Sequence, residues 1–133
     1  MRQIVCVDLD GVLASWKDGW KGVDHFGDPI PGAVEFTKKL AETYDVVIYT
    51  CRCSEGINGR EKACLLSNRV REWLDTHGFT YHDIYVGQGK PVAAAYIDDR
   101  AVACRPEAST DSVWEFEHAL AVVYMMCNEQ PIT

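Results

Sequence analysis

The N-terminal stretch Arg2-Gln3-Ile4-Val5-Cys6-Val7-Asp8-Leu9-Asp10-Gly11-Val12 is a run of β-branched and apolar residues that stops at a pair of carboxylates. From Arg2 to Leu9 there is almost no polar break, the pattern of a central strand covered on both faces, and such strands belong to parallel sheets. A second run of the same character is Asp45-Val46-Val47-Ile48-Tyr49-Thr50. Shorter ones stand at Ile84 to Val86 and Ala94 to Asp98. The spacing predicts a strand at each of the four.

Helical patterns lie between these runs. Pro31 opens a segment in which Ala33, Phe36, Leu40 and Tyr44 recur at three-to-four-residue spacing. From Arg60 to His77, the residues Ala63, Leu66, Val70, Trp73 and Leu74 share one face, and Gly78 follows as a C-terminal cap. Val113, Phe116, Leu120, Val123 and Tyr124 repeat the stripe after Ser109, Thr110 and Asp111, which are good capping residues. Strands alternating with helices imply an α/β fold, a three-layer sandwich with a central parallel sheet and ligands beyond the carboxyl ends of the strands. The expectation is a single domain over residues 1–133, without internal repeats, and with one elaborated loop, a flap at about Trp16 to Pro29.

The 133 residues and 47% hydrophobic content suffice for one ordinary core. A formal charge of −7 opposes nonspecific attraction to a phosphate backbone, so nucleic acid is not the expected partner. Met1 to Leu9 carries one positive charge and a short apolar run broken by Asp8, which fits neither a signal peptide nor a membrane span. The expectation is a cytoplasmic protein whose six cysteines are reduced thiols. The amphipathic surface is compatible with a homo-oligomer without indicating one.

At the predicted strand ends stand Asp8-Leu9-Asp10-Gly11-Val12, Thr50, Lys90 and Asp98-Asp99. Side chains two apart in a strand point the same way, so Asp8 and Asp10 can project together, and Gly11 lets the backbone turn sharply behind them. With Asp98 or Asp99 added, the cluster repels itself unless a hard, oxygen-preferring cation such as Mg²⁺ neutralises it. Lys90 and Thr50 would then face the oxygens of a phosphate, one as a point charge and one as a hydroxyl donor. A regular strand through Asp98 and Asp99 would point them to opposite faces, so one is expected to be re-aimed by the loop.

These residues resemble the haloacid dehalogenase (HAD) superfamily. Its first motif is matched by Asp8-Leu9-Asp10-Gly11-Val12, its second by Val46 to Thr50, its third by Lys90 in Gly89-Lys90-Pro91, and its last by Tyr96-Ile97-Asp98-Asp99-Arg100. The resemblance implies a Rossmann-like core and a two-step phosphoryl transfer. In it Asp8 attacks phosphorus to give an aspartyl phosphate, while Asp10 protonates the leaving oxygen and then activates water. It also implies Mg²⁺ held by Asp8, the Asp10 backbone carbonyl and Asp98, with Asp99 as ligand or orienter. Only the stretch Trp16 to Pro29 is available as an insertion, so the chain looks like a capless (C0-type) member, a phosphatase acting on a small phosphorylated metabolite. The alternatives are a catalytically retired phosphate- or metal-binding relative and a nucleic-acid end phosphatase.

Each residue also has a plainer role. Thr50 would satisfy a backbone group of its own loop, and Lys90 would be a solvated charge before Pro91. Arg52 is either an anion contact or, at least as readily, an exposed loop arginine. Trp16, Trp20, His25 and Phe26 either wall the substrate or anchor the flap to the body. Cys51-x-Cys53 has no second pair to complete a zinc site. A response-regulator receiver is excluded by order, because its acidic pair comes first and its phosphoacceptor midway.

Overall fold

The computed structural model describes residues 2–17, 19, 21–22 and 24–129. Trp20 of the flap lies outside the described residues. The chain forms two compact units, residues 1–99 and 100–133.

The first unit is built on four strands, β1 (Ile4–Val7), β2 (Asp45–Ile48), β3 (Asp83–Ile84) and β4 (Ala95–Ile97), all parallel, in the spatial order β3-β2-β1-β4. β1 is interior, and three consecutive residues, Val5, Cys6 and Val7, are buried, as its unbroken apolar run requires. The chain moves outward from β1 to β2 and β3 and returns to the other side of β1 for β4. The strand order therefore reverses beside β1, the place where open α/β sheets leave a crevice for ligands at the carboxyl ends of their strands.

α1 (Ala33–Ala41) joins β1 to β2, and α3 (Arg60–Thr76) joins β2 to β3 after a 3₁₀ turn at Cys51–Cys53 and a short α2 (Glu55–Asn58). Val5, Val7, Val46, Ile48 and Ile84 stand in register on one face of the sheet and cluster with Ala33 of α1 and Val70, Trp73 and Leu74 of α3. All five apolar positions expected on α3 are buried. Each fully buried aliphatic side chain contributes about 1.5–3 kcal/mol relative to leaving it exposed. Gly78, with φ 79°, ends α3 and lets Phe79 turn back onto Trp73 at 5.2 Å between ring centroids.

α1 departs from its expected stripe. Phe36 is 39% exposed, whereas Thr37 is buried. Four residues after Ala33, Thr37 falls on the inward face. Its hydroxyl is satisfied there, donating to the Val34 carbonyl at 3.0 Å and accepting from the Thr80 N–H at 3.4 Å.

The second unit, described by itself, holds a 3₁₀ turn at Pro106–Ala108 and α4 (Ser112–Glu129). Asp111 caps α4 by accepting from the Trp114 N–H at 3.0 Å. Among the described residues no helix is long and apolar enough to cross a membrane.

Candidate active site

β1 ends at Val7, and the Asp8 N–H donates to the Ile97 carbonyl of β4 at 2.9 Å, so Asp8 is still tied to the neighbouring strand. A tight turn follows, with the N–H groups of Leu13 and Ala14 both donating to the Leu9 carbonyl at 2.9 Å. β4 ends at Ile97, so Asp98 and Asp99 lie beyond it and strand alternation no longer drives them apart. Both reach the same place: Asp8, Asp98 and Asp99 each offer a carboxylate oxygen within 4.8 Å of the others.

The Asp8 carboxyl is pushed up to about 7, first by burial and further by the charges of Asp98 and Asp99 and a hydrogen bond with Asp99, against the opposing pull of the Leu9 N–H. A cation among the three carboxylates would favour the ionised form of Asp8. The donors fit Mg²⁺ in kind and size. All are hard oxygens, and opposite ligands on an octahedral ion with bonds of about 2.1 Å stand about 4.2 Å apart.

Gly11 is required by this arrangement. Its φ is 87°, and a Cβ built on it would lie 2.2 Å from Asp99 Oδ2. Gly11→Ala is expected to lose roughly 1–2 kcal/mol of stability for the left-handed backbone alone, and to weaken Mg²⁺ binding by displacing Asp99. Denaturant unfolding and calorimetric Mg²⁺ titration check the two effects separately. Unchanged affinity for the ion would remove Asp99 from the ligand set.

The side chain of Asp10 is held elsewhere. Arg52 grips it at both oxygens, Nε to Oδ2 at 2.8 Å and Nη2 to Oδ1 at 3.0 Å, and the arginine side chain is only 4% exposed. The sequence left Arg52 as either an anion contact or an exposed loop residue. The structure gives it a buried, bidentate carboxylate partner, the geometry to which guanidinium is suited. The signal available in the sequence was its place two residues past Thr50, in a chain whose Asp-x-Asp needed a counter-charge.

Arg52 also ties down the flap. Its guanidinium donates to the backbone carbonyls of His25 at 2.8 Å and Gly22 at 3.4 Å, and lies 4.4 Å from the Phe26 ring centroid. Phe26 in turn stacks on Trp73 of α3 at 6.0 Å. Phe26 thus anchors the flap to the body. The base of the flap closes through Ser15 N–H to Asp28 carbonyl at 2.7 Å and Ile30 N–H to Leu13 carbonyl at 2.9 Å.

Thr50 and Lys90 have partners of their own. Thr50 is buried, and its hydroxyl oxygen accepts from the Arg52 N–H at 3.3 Å, capping the 3₁₀ turn. The ammonium of Lys90 sits 4.3 Å over the Tyr96 ring and, among the described residues, pairs with none of Asp8, Asp98 and Asp99. Cys51 and Cys53 diverge, one exposed and the other buried with its thiol pushed up to about 11 by burial. Among the described residues neither belongs to a group of three or more metal-ligating side chains.

No protein-family model matches the chain, and no curated protein matches its sequence. Among solved structures, a structural-genomics target from Vibrio cholerae is 25% identical with a TM-score of 0.48, covering 90% of this chain and 97% of that one. A D,D-heptose 1.7-bisphosphate phosphatase from B. bronchiseptica, complexed with magnesium and phosphate, is 17% identical with a TM-score of 0.41, covering 92% of this chain and 63% of that one. In the parallel α/β sheet the Asp8 motif stands at the end of the interior strand β1, and the Asp98-Asp99 pair at the end of its neighbour β4.

Proposed function

We propose that the chain is a Mg²⁺-dependent phosphomonoester hydrolase that works through a phosphorylated Asp8 on a small phosphorylated metabolite in the cytoplasm. The observation that carries this is the group of Asp8, Asp98 and Asp99 at the carboxyl ends of neighbouring parallel strands, beside the reversal of strand order. Asp8 attacks phosphorus as the ester bond breaks, and Asp10 gives its proton to the departing oxygen. Asp10 then takes a proton from the water that attacks the aspartyl phosphate, which releases phosphate and restores Asp8. Asp8, Asp98, Asp99 and the Asp10 backbone carbonyl would hold Mg²⁺, which when bound offsets the carboxylate charges and draws negative charge off the phosphoryl oxygens. Thr50 and Lys90 are assigned to the remaining phosphate oxygens, as donor and charge. Arg52 positions Asp10.

One observation favours a second function, a phosphate- and metal-binding protein without turnover: both oxygens of Asp10 are engaged by Arg52. Hydrolysis of 4-nitrophenyl phosphate by the purified protein separates the two. Turnover is expected with Mg²⁺ and not with a chelator, because among the described residues no nitrogen or sulfur donor accompanies the three carboxylates. Full activity of the metal-free protein would refute the metal assignment. Binding of Mg²⁺ and phosphate with no turnover of any ester would establish the second function instead.

A further inference from the structure

Phe26 stands between the residue that holds Asp10 and the core of the first unit. The central carbon of the Arg52 guanidinium lies 4.4 Å over its ring, and the ring stacks on Trp73 of α3 at 6.0 Å and 22°. Trp73 stacks in turn on Phe79 at 5.2 Å and 21°. We propose that Phe26 is a positioning residue for Asp10: by fixing the guanidinium plane of Arg52 it sets the carboxyl that gives its proton to the departing oxygen. For what Asp10 does, the inference rests on the phosphomonoesterase function proposed above.

A guanidinium is planar, and its donors point outward along its edge. Along that edge Arg52 donates to both oxygens of Asp10 and to the His25 and Gly22 carbonyls. These bonds hold the group within its own plane. All of them weaken when the plane tilts, because a hydrogen bond depends steeply on the angle at the donor. Tilting is opposed by what lies against the face of the plane, and Phe26 lies there. An aromatic ring also attracts the cation over its own face. The Arg52 side chain is 4% exposed, so a bond lost to Asp10 is not made good by bulk water.

The flap also meets α3 through Asp24 and Arg69, at 2.7 Å, with Arg69 one helical turn before Trp73. That ion pair is 66% exposed on one side and 46% on the other, and such pairs contribute little. Trp73 and Phe79 are buried, and Phe26 packs against the cluster they belong to. The stack of rings, rather than the surface pair, therefore carries the position of the core to Arg52.

Phe26→Leu keeps an apolar side chain against Trp73 and takes the ring away from Arg52, while Phe26→Tyr keeps the ring. Phe26 is only partly buried, so both variants are expected to fold. The first measurement needs no turnover: hydrogen exchange of the Arg52 Nε–H, which donates to Asp10 Oδ2, followed by NMR and assigned by its absence from Arg52→Lys. Exchange should be at least about tenfold faster in Phe26→Leu and parental in Phe26→Tyr. The second is kcat/KM with Mg²⁺ for phenyl phosphate and 4-nitrophenyl phosphate. Phenoxide is the poorer leaving group and depends more on a proton donor. Phe26→Leu should lower kcat/KM for phenyl phosphate by about tenfold, part of the roughly 10²–10⁴-fold that a positioned acid supplies, and for 4-nitrophenyl phosphate by far less. In an Asp10→Asn background the same substitution should cost nothing further. Unchanged exchange at Arg52, an equal loss on the two esters, or the same effects from Asp24→Ala, which loosens the flap without touching the ring, would overturn the proposal. Absence of Mg²⁺-dependent turnover of any ester by the parent would refute the phosphatase function instead, and the exchange rates would still decide whether Phe26 sets Asp10.

Discussion

Asp8→Asn is expected to lower phosphate release by on the order of 10³-fold or more while leaving the chain folded. The substitution removes the attacking oxygen and keeps the side-chain volume, and the Asn oxygen can still accept from the Leu9 N–H, which Asp8 now does at 2.9 Å. The same variant makes a second, independent statement about stability. Burial and the nearby Asp98 and Asp99 raise the Asp8 carboxyl from 3.8 to about 7 in the folded chain. Between those values the folded state binds the proton that the unfolded state has lost, so the metal-free protein loses stability as pH rises through that window. Asn has no proton to lose. The metal-free variant should therefore gain on the parent as pH is raised from about 4 to above 7, a difference read by denaturant unfolding at the two ends. Retained turnover in a verified variant would remove Asp8 as nucleophile, and a stability difference that does not change with pH would mean the three carboxylates are not grouped as described.

The sheet was legible because its signal is local. Val5, Cys6 and Val7 have no polar neighbour to expose, and a strand buried on both sides is the arrangement that leaves no apolar side chain in water. The stripe of α3 was equally plain, since Ala63, Leu66, Val70, Trp73 and Leu74 repeat at the helical period. α1 was misread at Phe36, because apolar character was weighed above position and the buried hydroxyl of Thr37 depends on Thr80, 43 residues away. The grouping of Asp8 with the acidic pair follows from parallel neighbours ending level, which the order of motifs already implied. The partner of Asp10 did not follow. Arg52 lies 42 residues from it, and whether an arginine after a strand points outward or beneath the first turn is decided by the 3₁₀ turn at Cys51–Cys53, the flap carbonyls and the Phe26 ring. None of these contacts has a periodicity. Lys90 illustrates the same limit: its place before Pro91 suggested a charge, whereas its position over Tyr96 depends on how the loop between β3 and β4 crosses the sheet.

Arg52→Ala is expected to cost about 3–5 kcal/mol of stability. It leaves the Asp10 carboxylate, 17% exposed, without the partner that meets both of its oxygens, and it withdraws the guanidinium from Phe26 and from the His25 and Gly22 carbonyls. Such a loss can exceed what a chain of this size has to spare, so Arg52→Lys is the companion variant. Lysine keeps one charge beside Asp10 but cannot reproduce the two parallel bonds. The Lys variant should fold and bind Mg²⁺ as the parent does, since Asp8, Asp98 and Asp99 are untouched, while kcat falls and its pH profile moves with the altered setting of Asp10. A purely structural arginine would lower stability and leave the pH profile in place. The double variant with Asp10→Asn decides between the two. If Arg52 acts through Asp10, replacing it in an Asp10→Asn background costs far less activity than in the parent. If the two losses simply multiply, Arg52 works by holding the flap, and Asp10 owes its position to the turn at Gly11.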